Sequence, residues 1–257
     1  MSKKTVIITG ASSGIGEELA KIYAKDGWHI GLIARRLPQL KQLKNNLEST
    51  YKTKVLISAC DVSQKDDIFN AIETMIQDFG QIDCVIANAG VSYSSPGTNP
   101  NADTFEKTIA VNVLGAGFTA YAAIPTMLKQ RSGQLVVISS LAGYRGLPEA
   151  GAYSASKSAV NNLFESLRLD LKKHNISVSI IRPGFIKSAI TDRNEFYMPQ
   201  FQSLEKGVLK IYKAIQKKKP IFSFPKPLSM ITQTLYFWPV WLYDLALAGR
   251  KKKKRDF

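Results

Sequence analysis

The sequence predicts a single α/β domain, a doubly wound parallel sheet of about seven strands with helices on both faces. Three observations predict it. Short apolar runs rich in Val and Ile alternate with helical stretches along nearly the whole chain. The 257 residues suit one domain of this kind. No internal linker or tandem repeat divides the chain, so residues 1–225 read as the domain and 226–257 as an aromatic-rich, basic extension.

The elements follow in order. KTVIIT (4–9) is a buried strand, followed by a glycine-rich turn (10–16) and a helix to about Asp26. HIGLIA (29–34) is the second strand, and a helix covers 38–50. KVLISA (54–59) is the third, with a helix over 64–78, and IDCVIA (82–87) is the fourth. One long helical region spans 103–130, with Gly115 and Gly117 inside it. QLVVIS (134–139), a helix over 152–173 and SVSIIR (177–182) continue the alternation. Residues 187–204 have no clear period and read as a lid, 205–217 as a helix, and IFSF (221–224) as a short last strand. Strands this uniformly apolar are those buried on both faces of a parallel sheet.

Composition narrows the function classes. At 45% hydrophobic residues the chain has enough apolar surface for a sizeable core. Cys60 and Cys84 have no partners at metal-ligand spacing and read as buried reduced thiols, which fits a cytoplasmic compartment. With only His29 and His174 available, a histidine-based metal or triad mechanism is excluded as a first reading, and no metal site is expected. Val6-Ile7-Ile8 is too short for a signal-peptide core. Net charge is +15, but the stretch from Lys206 to Phe257 holds 13 Lys and Arg against Asp244 and Asp256. The remainder carries only +4, so nucleic-acid binding by the main body is not expected.

The turn Thr9-Gly10-Ala11-Ser12-Ser13-Gly14-Ile15-Gly16 lies between a strand and a helix, the context a dinucleotide fingerprint requires. Gly10 permits the tight turn, Gly14 lets the backbone approach a pyrophosphate, and Gly16 lets the helix pack closely. The helix N-terminus then offers free N–H groups to the phosphates. Where an NAD site places an acid, the second strand ends in Ala34-Arg35-Arg36. A guanidinium pairs a 2′-phosphate bidentately, and Ser12 and Ser13 add hydroxyls. Taken alone, Arg35 and Arg36 also read as solvated residues ahead of Pro38; after the glycine turn they favour NADP(H). Asp61-Val62 suits the adenine edge, and Asn88-Ala89-Gly90 is expected beside the adenine ribose, although each also reads as an ordinary polar turn.

Tyr153 and Lys157 stand four residues apart and share one helix face. Ser140 closes the fifth strand on the side where a cofactor would lie. A phenol ionises near pH 10, and a neighbouring ammonium lowers that value. The sequence therefore assigns Tyr153 proton transfer, Lys157 its activation, and Ser140 the substrate oxygen. Such Tyr/Lys pairs also arise by chance on solvated helices; here the order and distance after a cofactor half give this one weight.

With these residues the chain resembles the short-chain dehydrogenase/reductase family, whose fold is Rossmann-type. The resemblance rests on TGASSGIG (9–16), Asp61, NAG (88–90), Asn112, Ser140, YSASK (153–157) and Pro183-Gly184, in the family's order. It implies Tyr153 as general acid/base, Lys157 as its partner, Ser140 as substrate positioner and Asn112 as anchor for a water leading from Lys157. From the residues alone, Asn112 is equally a helix-kink position. The resemblance also implies that Pro183, Gly184, Ile186 and Ser188 meet the nicotinamide and phosphates; Ser188 stands where threonine is more usual. It further implies a homo-oligomer through the helices near 103–130 and 152–173.

The expected reaction is hydride transfer between NADP(H) and a ketone or secondary alcohol. Tyr93, Tyr144, Leu147, Phe185, Phe196, Tyr197 and Met198 give the expected pocket an apolar lining, which points to a hydrophobic small molecule. Residues 228–248 are apolar and aromatic, and Arg250–Arg255 are all basic. They read either as a peripheral docking element for an anionic membrane or as a pocket or subunit cover with a solvated tail. A membrane-recruited nucleotide-binding scaffold is the alternative function.

Overall fold

A computed structural model describes residues 3–193 and 197–248. Seven parallel strands form one sheet: β1 (Thr5–Thr9), β2 (His29–Ala34), β3 (Val55–Ala59), β4 (Cys84–Ala87), β5 (Gly133–Ile138), β6 (Ile176–Pro183) and β7 (Ile221–Phe224). Their order across the sheet is β3-β2-β1-β4-β5-β6-β7. The chain therefore reverses direction of travel between β1 and β4. In such sheets the crevice outside the carboxyl ends of the strands at that point receives the ligand.

Helices α1 (Gly14–Lys25), α2 (Leu37–Tyr51) and α7 (Leu204–Gln216) cover one face. Helices α3 (Lys65–Phe79), α5 (Gly115–Gln130) and α6 (Gly151–Leu171) cover the other. The period of two along β1 feeds both layers: Val6 and Ile8 enter the first cluster and Ile7 the second. This is why TVIIT contains no polar position other than its two threonines, and both of these are buried. Cys60 and Cys84 are free and buried, and burial pushes their thiols up to about 11 and about 12.

The expected long helix over 103–130 is broken into pieces. Helix α4 (Ala102–Ile109) passes through a π-helical turn (Ala110–Leu114) into α5. Such widened turns occur mostly at functional positions, and this one contains Asn112. The stretch Ala102–Gln130 is long and apolar enough to cross a bilayer, but α5 is packed inside the fold against α3 and β4. Beyond β7 the aromatic stretch forms two short helices, α8 (Lys226–Thr234) and α9 (Val240–Ala248), joined by a 3-10 turn (Leu235–Phe237).

Gly31 in β2 is a tight point of the core. A Cβ there would lie 2.7 Å from Met75 Sδ and 2.9 Å from Ile7 Cγ1. Gly31→Ala is expected to destabilise the fold by about 1–3 kcal/mol through overpacking, seen as a lower urea midpoint with an unchanged slope.

Candidate active site

The glycine turn is locked from below. Asn88, at the end of β4, donates through Nδ2 to Thr9 O (2.9 Å) and Gly10 O (3.3 Å). The backbone N–H groups of Asn88 and Ala89 both donate to Thr9 Oγ1, at 3.1 and 3.2 Å. No side chain fits between these layers. A Cβ on Gly16 would stand 2.5 Å from Gly10 O, and one on Gly10, where φ is +66°, would stand 2.8 Å from Ala89 Cα. On the open side, a Cβ on Gly14 would meet only Ser188 Cβ, at 3.8 Å. Gly14 and Ser188 thus face each other across the crevice at the start of α1.

The mouth of this crevice carries cationic and hydroxyl groups. Arg36 donates from Nη2 to Ser12 Oγ at 2.9 Å and to Ser13 Oγ at 2.7 Å. Ser13 is the N-cap residue of α1, yet its side chain makes no capping bond. The first N–H groups of α1 are therefore left for another acceptor. Arg35 lies 3.7 Å from Asp61, and Asp61 Oδ1 accepts from Ser63 N and Oγ at 3.0 and 2.8 Å. The crevice suits a dinucleotide by three features: glycines where a Cβ would collide, uncapped helix N–H groups, and a guanidinium between two hydroxyls.

The chemical groups meet at the other end of the same segment. Ser140, at the end of β5, accepts from Ala142 N at 3.1 Å, and its hydroxyl stands near enough to the Tyr153 phenol to favour the phenolate. Lys157, one helical turn after Tyr153, donates from Nζ to Ile138 O at 2.9 Å. That Nζ lies 5.6 Å from the centre of the Tyr153 ring. Asn112 accepts from Val91 N through Oδ1 (2.8 Å) and donates through Nδ2 to Val91 O and Ser156 Oγ, both at 2.9 Å. Ser156 in turn donates to Tyr153 O at 2.7 Å. Asn112 therefore ties the loop after β4 to the helix turn that bears Tyr153, and a second lone pair on Oδ1 remains.

Burial sets the ionisation of the pair. The Tyr153 phenol is pushed above its usual value by burial, against the opposing Ser140 hydrogen bond. Burial pushes the Lys157 ammonium down to about 8. The sequence led us to expect the opposite direction for Tyr153. The reason is desolvation of the phenol itself, which disfavours the phenolate more than the Ser140 contact favours it.

Gly90, expected beside the adenine ribose, has the catalytic groups as its neighbours: a Cβ there would meet Asn112 Oδ1 at 3.4 Å and Lys157 Nζ at 3.6 Å. Val62 and Ile186 point into the two cores, so each offers a ligand only its backbone. Gly184 packs against Leu228, Pro225 and Leu141, and Pro183 is buried at the end of β6. The Tyr144 hydroxyl is engaged with Ser223 Oγ (3.0 Å), Arg182 Nη1 (3.0 Å) and Gln233 Nε2 (2.8 Å). Tyr197 is 87% exposed. Phe196 and Arg250–Arg255 lie outside the described residues. The sequence reading missed Thr191, whose Oγ1 accepts from Ser188 N and donates to Ile186 O, at 2.9 and 2.8 Å. Its only signal was a hydroxyl three residues after Ser188.

Comparison with known proteins agrees with this fold. The short chain dehydrogenase family matches residues 4–196, and the chain belongs to that family. An uncharacterized oxidoreductase of Myxococcus xanthus is 37% identical over 246 residues, covering 96% of this chain and 97% of its own. Among solved structures, an alcohol dehydrogenase from Thermococcus sibiricus, complexed with 5-hydroxy-NADP, matches with a TM-score of 0.78 and 24% identity, covering 86% of this chain and 95% of its own. An NAD+-bound xylitol dehydrogenase matches with a TM-score of 0.78 and 22% identity, covering 86% and 97%. These two likenesses establish the fold. The chain is an oxidoreductase of the short-chain dehydrogenase type.

The depressed Lys157 ammonium has a consequence for stability. Between about pH 8 and the ordinary lysine range near 10.5, the unfolded chain holds a proton that the folded chain has released. Stability linked to this group therefore rises with pH across that window. Lys157→Met removes the buried charge, so its stability advantage over the parent is expected to be largest near neutral pH and to shrink as pH rises from 8. Urea unfolding of both proteins at several pH values measures this, and a pH-independent difference would contradict it.

Proposed function

We propose that this chain interconverts a ketone and a secondary alcohol with NADP(H), using Ser140, Tyr153 and Lys157 on a hydrophobic small molecule. One observation carries the reading: Ser140 and Lys157 flank a half-buried phenol, and the segment 88–90 joins that phenol's site to the glycine crevice. The bound cofactor supplies or accepts the hydride. In reduction, Tyr153 gives its proton to the substrate oxygen as negative charge develops there. The Ser140 hydroxyl holds the same oxygen and steadies that charge. Lys157, protonated below about pH 8 and fixed by the Ile138 carbonyl, stabilises the phenolate left behind. In oxidation the phenolate takes the alcohol proton. Asn112 holds Val91 and Ser156 so that the turn carrying Tyr153 stays in register with β4, and its spare lone pair suits a water on the Lys157 side.

NADP(H) is preferred because Arg36 lies against two serine hydroxyls where an NAD site would carry an acid. The hydrophobic substrate class is supported by Leu147 and Pro148, which line an open groove of about 440 Å³ between the loop after β5 and α9. Homo-oligomerisation through α4, α5 and α6 is supported by the exposed side chains of Phe105, Leu114, Tyr121 and Leu169. The scaffold alternative is not favoured, since the relatives are oxidoreductases and no expected catalytic position is substituted.

Tyr153→Phe is expected to lower kcat by roughly 10²–10⁴ while NADPH still binds. Steady-state absorbance with a panel of ketones and NADPH fluorescence titration measure the two; unchanged turnover would remove Tyr153 from the reaction. Arg36→Ala is expected to weaken NADPH binding by about 1.5–3 kcal/mol, roughly 10- to 150-fold, and to leave NADH binding nearly unchanged. An equal loss for both cofactors would overturn the 2′-phosphate assignment.

A further inference from the structure

We propose that the outer face of α8 and α9 is a docking surface for an anionic lipid bilayer. Met230, Ile231, Tyr236, Phe237, Trp241 and Leu245 all point to solvent, with Phe237 84% and Trp241 68% exposed. Folded chains rarely leave so many large apolar side chains together in water without an occupant. On α9 the exposed Val240, Trp241 and Leu245 fall at i, i+1 and i+5, one face of a helix.

The other side of this segment is already occupied, which fixes the outer face outward. Arg145 donates from Nη1 to Leu235 O and to Trp238 O, the latter at 3.1 Å. Its guanidinium also stacks 3.8 Å from the centre of the Tyr243 ring. The buried Tyr243 donates its hydroxyl to Gly146 O. Gln233 bonds Tyr144, and Ser229 is buried. The segment is thus clamped to the loop after β5 by polar contacts, and the apolar groups on its far side have no part in that clamp. The one acid on α9, Asp244, lines the groove with Gly146 and Leu147 and so sits at the rim of the face.

Charge selects the occupant. Two residues after α9 ends at Ala248, the sequence runs Arg250-Lys251-Lys252-Lys253-Lys254-Arg255. A second copy of this chain on the same face would bring two such runs together and be repelled. An anionic headgroup layer attracts them, by roughly fivefold in partition per basic residue near the surface. Exposed Trp, Tyr and Phe beside a basic cluster is the composition of a segment that settles at the headgroup boundary.

The test is co-sedimentation of the full chain with vesicles of phosphatidylcholine alone or with roughly one third phosphatidylserine. The full chain is expected to bind the mixed vesicles and to bind the neutral ones at least tenfold more weakly, with the difference shrinking at high salt. Phe237→Ser with Trp241→Ser is expected to weaken binding at least tenfold, with the circular dichroism spectrum and NADPH binding kept. Replacing all six basic residues 250–255 with Gln is expected to abolish the preference for the mixed vesicles, and it carries the test if the double variant misfolds. No binding to either vesicle, or equal binding by the parent and both variants, overturns the proposal. So does a concentration-dependent dimer that the double variant abolishes without any vesicle binding by the parent. None of these readouts requires turnover, so their failure is distinct from failure of the catalytic reading.

Discussion

The burial of Lys157 beside the half-buried Tyr153 at the carboxyl edge of the sheet is the constraint on which the rest depends. Desolvation makes each group ionise in response to the charges placed beside it. Lys157 is 5% exposed and anchored to the Ile138 carbonyl. At an effective dielectric constant of about 20, a cation a few ångströms from an opposite charge acts on it with roughly 3–4 kcal/mol. That energy is available only while the ammonium keeps its proton. The same desolvation that strengthens the interaction brings the ammonium's ionisation down to about 8. Below about pH 8 the ammonium is therefore charged and in place to act on negative charge developing at the phenol.

The frame around this pair is built to keep it in register with the crevice. Asn88 ties β4 to the glycine turn, Asn112 ties the following loop to α6, and the Lys157 ammonium ties α6 to β5. Helices and strands are joined by side-chain hydrogen bonds within a short arc of the carboxyl edge. The π-turn at Ala110–Leu114 lies where one of these bonds begins. A widened turn is a cost in a helix, and here it accompanies an amide that bonds both Val91 and Ser156.

Much of the fold was legible because it is local. Uniformly apolar strands, the glycine turn and the four-residue spacing of Tyr153 and Lys157 translate directly into geometry. The ends of β7 were read to the residue, Ile221–Phe224, since its flanks are polar or proline. Other features depend on what a distant segment brings. Gly90 faces Lys157 because β4 and α6 meet there, and nothing within NAG records that meeting. The side chains of Val62 and Ile186 fill the cores, and only the sheet's two-sided packing decides that. Tyr144 was placed in the pocket on composition, whereas Arg182, Ser223 and Gln233, all far off in sequence, claim its hydroxyl. The direction of the Tyr153 shift was misread for a related reason: spacing shows a neighbouring cation but not the desolvation of both partners.

The central claim is that the Lys157 cation stabilises the Tyr153 phenolate. Its most direct measurement is the tyrosinate absorbance of Tyr153, taken as the difference from a Tyr153→Phe protein, over a range of pH with oxidised cofactor bound. The account predicts that Tyr153 ionises at lower pH in the parent than in a Lys157→Met background. Superimposable ionisation curves in the two backgrounds would contradict it.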